Sequence, residues 1–122
     1  MEKSKRSLTR LSFPTGYKAQ EIQDSNVDVY IILDNQDVYY ATFFTLKNIQ
    51  KLMSKAGIGS AEGCYFWVAD MVIIESITLN NIVVAIQDLI QSYSIDKALS
   101  KVGNESEFVS TPSEWLNLVE VA

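Results

Sequence analysis

Histidine is absent from this chain of 122 residues, and no arginine follows Arg10. The first absence removes Ser-His-Asp and Cys-His catalysis, and every histidine-ligated zinc or haem site, from what the chain can build alone. The second leaves most of the chain without the guanidinium fork that reads carboxylate and phosphate. Cysteine occurs once, at Cys64, so no internal disulfide framework exists. Its setting in Cys64-Tyr65-Phe66-Trp67-Val68-Ala69 predicts a buried, structural thiol. No apolar run approaches the roughly 20 residues that span a bilayer, and the basic N-terminus is followed by no apolar signal region. The expectation is a cytoplasmic protein with no membrane association.

Phosphate-binding signatures are also missing. Neither GxxxxGK[ST] nor GxGxxG occurs, and Gly57, Gly59 and Gly63 neither follow a predicted strand nor open a helix, as phosphate-cradling loops do. They read as a helix stop and a loop. Neither a cofactor nor a metal is expected.

Charge is what the chain has in an uneven supply. The net charge is −5, yet residues 1–18 carry five cations against Glu2 alone, so the remainder stands at −9. Such a body repels a phosphate backbone and argues against direct nucleic-acid binding. It attracts basic partners; equally, acidity alone keeps a protein soluble. The length suits one domain with one core. Residues 1–16 read as a flexible basic N-terminal tail ending in the turn Phe13-Pro14-Thr15-Gly16, and residues 17–122 as a single α+β domain.

Within that domain, residues 17–22 offer a first edge strand. Val27, Val29, Ile31 and Leu33 then alternate with Asp28, Tyr30 and Ile32, the period of a strand with one strongly apolar face. Asp34-Asn35-Gln36-Asp37 supplies turn residues, and residues 38–45 resume with strand-forming types, which predicts a hairpin. Thr45 suits the N-cap of a helix from Leu46 to about Ala56, with Leu46, Ile49, Leu52, Met53 and Ala56 as its apolar face. The run from Tyr65 to Glu75 reads as the central strand of the sheet. Thr78 caps a second helix whose stripe is Leu79, Ile82, Val83, Ile86, Leu89, Ile90 and Tyr93. Residues 94–101 continue or restart it, and residues 107–110 form a short edge strand. Thr111-Pro112-Ser113-Glu114 is a capping box, which predicts a short C-terminal helix presenting Trp115, Leu118 and Val119. The predicted fold is α+β: a mostly antiparallel sheet packed by two main helices, with the short C-terminal helix.

Acids are the remaining candidates for chemistry. Asp70 and Glu75 lie in the predicted central strand at opposite parity, so they face opposite sides of the sheet and form no dyad. Asp70 is assigned instead to binding a backbone amide or capping half of a bulged strand. Asp34 and Asp37 lack the six to eight oxygens that calcium wants and read as a plain hairpin turn. No catalytic residue is assigned. Aromatic residues are numerous on the predicted strands; either they meet helices on both faces or some form a protein-binding surface.

The segments Ala41-Thr42-Phe43-Phe44-Thr45, Asn48-Ile49 and Tyr65 to Ile73 resemble a set of small bacterial proteins. In size and acidity the chain is similar to immunity proteins of polymorphic toxin and contact-dependent growth inhibition systems. That resemblance implies a non-catalytic partner of a cognate protein toxin, with a basic nuclease the best electrostatic match. It carries over no site residue. The residues best placed to meet a basic partner are Asp28, Asp34, Asp37, Tyr39 and Glu75. The competing expectation is a small self-associating adaptor that uses an aromatic sheet face as a homodimer contact.

Overall fold

A computed structural model describes residues 6–14, 23–54, 63–108 and 119–121. Their order is β1 (Leu8–Ser12), β2 (Asn26–Leu33), β3 (Asp37–Phe44), α1 (Leu46–Met53), β4 (Met71–Ile73), α2 (Leu79–Gln91), α3 (Ile95–Ala98) and β5 (Ser100–Asn104). A 3₁₀ turn (Glu105–Phe108) and β6 (Val119–Glu120) complete it. The sheet runs β4-β3-β2-β1-β6, and β5 also pairs with β3. The α+β class holds. The sheet is mixed, because β4 lies parallel to β3 while the other pairings are antiparallel.

The β2–β3 hairpin forms as the alternation predicts. Val27, Val29 and Ile31 stand opposite Phe43, Ala41 and Tyr39, and all six are buried on one face. Helix α2 covers that face. Thr78 Oγ1 accepts the Asn81 N–H at 3.1 Å, capping the helix, and Ile82, Ile86 and Ile90 point into the core. Each buried isoleucine contributes about 1.5–3 kcal/mol relative to exposure. The helix ends in a Schellman pattern: Ser94 N–H reaches Leu89 O at 2.9 Å, Tyr93 N–H reaches Ile90 O at 3.1 Å, and Tyr93 takes φ +58°.

The expected tail fails at residues 8–13. Leu8, Leu11 and Phe13 are buried in the core, and β1 pairs with both β2 and β6. A bulge at Thr9 is the reason period two was not visible there. It sets Leu8 opposite Leu33 and Leu11 opposite Ile31, so residues three apart share the core face.

The expected central strand is corrected more sharply. Only Met71–Ile73 of that run is a strand, and it lies at the sheet edge. The cause is competition for β3: residues 37–40 of its outer edge pair with β5, which leaves residues 42–44 for β4. Tyr65 and Trp67 are exposed, and so is Cys64, contrary to the buried thiol expected. Helix α1 also departs from its apolar stripe. Thr45 caps it by accepting Asn48 N–H at 3.2 Å, but Asn48 is its buried residue and Leu46 is 63% exposed. The segment expected to be a strand at residues 107–110 begins inside the 3₁₀ turn. The expected strand at 17–22 and the C-terminal helix from 111 lie outside the described residues, except that Val119 belongs to β6.

Candidate functional site

Five residues were singled out as partner contacts, and the fold does not gather them. Asp34 and Asp37 flank the β2–β3 turn, whereas Glu75 follows β4 beside the far end of β3. The strand rise puts those two ends roughly 20–25 Å apart.

At the hairpin end, Asp34 is exposed, with no lysine or arginine against it among the described residues. Its Oδ1 accepts the Ser7 N–H at 3.2 Å, while its own N–H donates to Ser7 O at 2.9 Å. Asp37 is spent internally. It accepts from Asn35 Nδ2 at 3.1 Å and pairs with Lys101 Nζ at 3.1 Å.

Tyr39 is no surface contact: it is 1% exposed, on the core face of β3. Alternation of the strand, applied from Val27 through the hairpin register, would have shown this. Its hydroxyl donates to Asp96 Oδ1 and accepts from Arg6 Nη1 at 3.0 Å, while Arg6 Nη2 meets Asp96 Oδ2 at 3.0 Å. Burial, reinforced by the Asp96 hydrogen bond, pushes the Tyr39 phenol up to about 12. The hydrogen bond to Asp96 raises the pKa of Arg6 against the opposing effect of burial. This cluster ties the chain before β1 to β3 and α3. Arg6 also borders a cleft of about 280 Å³ with Ile90, Gln91 and Tyr93. Neither Arg6 nor Asp96 was singled out from the sequence, because no local pattern relates residues 90 positions apart.

On the opposite sheet face, Asp28 is half-buried. Its Oδ1 accepts from Tyr40 Oη at 2.8 Å and Thr42 Oγ1 at 3.0 Å, and Tyr40 packs edge-on against Tyr30 with ring centroids 5.4 Å apart. Burial raises the Tyr40 phenol, the Thr42 hydrogen bond opposes it, and the Asp28 hydrogen bond adds to it. These groups satisfy one another, as cross-strand neighbours at Asp28–Thr42 and Tyr30–Tyr40 should.

Glu75 is exposed and borders a cleft of about 350 Å³ with Thr45, Leu46, Lys47, Ile73 and Ile74. Leu46 and Ile73 are 63% and 47% exposed, so apolar surface and a carboxylate sit side by side. Phe66 continues this surface by packing on Phe44, the register neighbour of Ile73, with ring centroids 5.3 Å apart. Leu46 and Ile73 were not foreseen as surface groups, since Leu46 belonged to the apolar stripe of its helix and Ile73 to the run read as the central strand. Asp70 takes the role expected of it: its Oδ1 accepts the Ser100 N–H at 2.8 Å.

Among the described residues no three acids or cysteines group as metal ligands. Among them too, no helix is long and apolar enough to cross a membrane. No protein-family profile, curated protein or solved structure matches the chain.

Proposed function

We propose that this protein is a non-catalytic, acidic binding protein that acts in the cytoplasm as an immunity factor, neutralising a cognate toxin domain of basic character, with a nuclease as the best electrostatic match. The observation that carries this reading is the distribution of charge. Arg6, Arg10, Lys51 and Lys101 are held against Asp96, Glu105, Asp24 and Asp37, whereas Asp34, Glu75 and Asp88 are exposed with no cation against them among the described residues. Among the described residues four of the six cations are paired within the fold, Lys47 and Lys97 being the exceptions, and the net charge of −9 over residues 19–122 leaves an acidic excess to meet a partner. Such a field speeds encounter with a basic protein and rejects acidic ones. The mixed apolar and acidic cleft at Glu75 supplies the kind of contact that holds a partner after encounter.

The test is co-purification of the tagged protein with the products of genes flanking its own, followed by measurement of association at several salt concentrations. Stoichiometric capture of a basic toxin domain, with association slowing as salt rises, is the expected result. Absence of any such partner among the flanking products would sink the immunity reading. Self-association as an adaptor is the competing reading, and a net charge of −5 on each copy opposes it. Sedimentation of the purified protein as a monomer is therefore expected.

A further inference from the structure

Among the described residues, strand β4 has one edge in use. Thr42 N–H donates to Asp70 O at 3.0 Å and Ile74 N–H donates to Phe44 O at 2.9 Å, in a register that sets Val72 against Phe43. Backbone groups of Asp70, Val72 and Ile74 therefore face β3, and by alternation those of Met71 and Ile73 face away from it. No described strand other than β3 pairs with β4. A strand edge of this kind is a template for another strand, and proteins commonly blunt it by keeping it very short or with proline, charge or a covering element. Strand β4 is three residues long, but none of Met71–Ile73 is charged or proline, Ile73 is itself exposed, and the exposed Leu46 borders the cleft beside it.

We propose that the outer edge of β4 accepts an extended, basic segment of a partner protein as an added strand, an assignment that rests on the acidic binding function above. Backbone pairing to Met71 and Ile73 supplies the affinity, and the neighbouring cleft reads the side chains. An apolar side chain of the segment fits between Leu46 and Ile73, and a lysine or arginine one step along the strand period meets Glu75. Lys47 stands on the same cleft and disfavours a cation on the helix side. A second copy of this chain is disfavoured as occupant, because pairing two β4 edges brings two Glu75 carboxylates together within a complex of net-acidic chains.

Amide hydrogen exchange of the full chain, followed by NMR, tests the assignment with a capped peptide of alternating lysine and valine as the probe. The expected result is exchange at Met71 and Ile73 slowed roughly tenfold or more at saturating peptide. A peptide of alternating glutamate and valine should leave both amides unchanged. In Ile73→Pro the outward N–H is lost while the bonds to β3 remain, so the lysine peptide should no longer protect Met71. Glu75→Lys, a surface change, should weaken peptide binding without altering the fold. No slowing with the lysine peptide overturns the proposal, as does equal slowing with the glutamate peptide. Slowing that grows with protein concentration in the absence of peptide overturns it in favour of a second copy. A toxin domain that binds wild type and Ile73→Pro equally overturns the edge assignment alone. Protection by the lysine peptide without any toxin partner overturns the immunity reading alone.

Discussion

The Asp70 carboxylate accepts the backbone N–H of Ser100 at 2.8 Å, at the seam where β4 and β5 share one edge of β3. Asp70 holds φ +59°, a left-handed conformation that aspartate tolerates better than most side chains. Its own carbonyl accepts from Thr42 N–H at 3.0 Å, so one residue binds both β3 and β5.

Replacing it by alanine should therefore remove an acceptor and leave the left-handed backbone without its usual side chain. Asp70→Ala is expected to cost about 1–3 kcal/mol. Asp70→Asn keeps an acceptor and a tolerance of positive φ, and should cost less. Urea unfolding of both variants checks this, with a lower midpoint at unchanged m-value as the expected signature.

Gly63 sits at φ +85°, and a Cβ there would lie 2.4 Å from the backbone oxygen of Met53 at the end of α1. Both the backbone conformation and the neighbouring carbonyl exclude a side chain. Gly63→Ala should destabilise by more than about 1 kcal/mol, which thermal unfolding would register as a lower Tm.

Tyr39 makes an alkaline prediction. Its phenol is raised from 10.0 to about 12 by burial and then by Asp96, so the folded state holds the proton more tightly than the unfolded chain. That contribution to stability is fully present below pH 10 and is lost as pH climbs toward 12. Unfolding free energy measured across this window should fall more steeply for wild type than for Tyr39→Phe. At neutral pH the same substitution should cost about 1 kcal/mol, the net value of a typical hydrogen bond.

The two hairpin carboxylates should separate in a charge-reversal experiment. Asp34→Lys removes only the exposed hydrogen bond to Ser7 N–H, so its stability cost should stay near about 1 kcal/mol while association with a basic partner slows at low salt. Asp37→Lys breaks the contacts to both Asn35 and Lys101 and puts two lysines side by side, and should lower stability further, along with association. Stopped-flow association beside chemical denaturation distinguishes the two; equal association rates for wild type and Asp34→Lys would remove Asp34 from the interface.

Helix α2 holds the sheet face through Ile82, Ile86 and Ile90. Ile86, fully buried, should cost about 2–5 kcal/mol on truncation to alanine. Val84, 55% exposed on the same helix, should cost far less, and a denaturation series on the pair tests which face is buried.

The amino-acid sequence by itself determined the β2–β3 hairpin, both N-caps and the buried stripe of α2. These are local patterns: alternation at period two, a threonine before a helix, isoleucines four apart on one side. It also determined the acidic excess and the side chains available for chemistry, since neither depends on folding. Tertiary structure alone decided which strands reached the centre. The run from Tyr65 to Glu75 has the composition of a central strand, yet β5, which has little apolar character, already occupies half of the β3 edge through backbone pairing. Leu8, Leu11 and Phe13 entered the core because a bulge re-phased them, and a bulge is set by the partner strand rather than by its own side chains. The candidate site followed the same division. Glu75 was legible as an acid beside apolar residues, whereas its cleft with Leu46 and Ile73 exists only because β4 was left at an edge. Local periodicity fixes which face of an element is apolar; competition among elements for the same backbone edge fixes whether that face is covered.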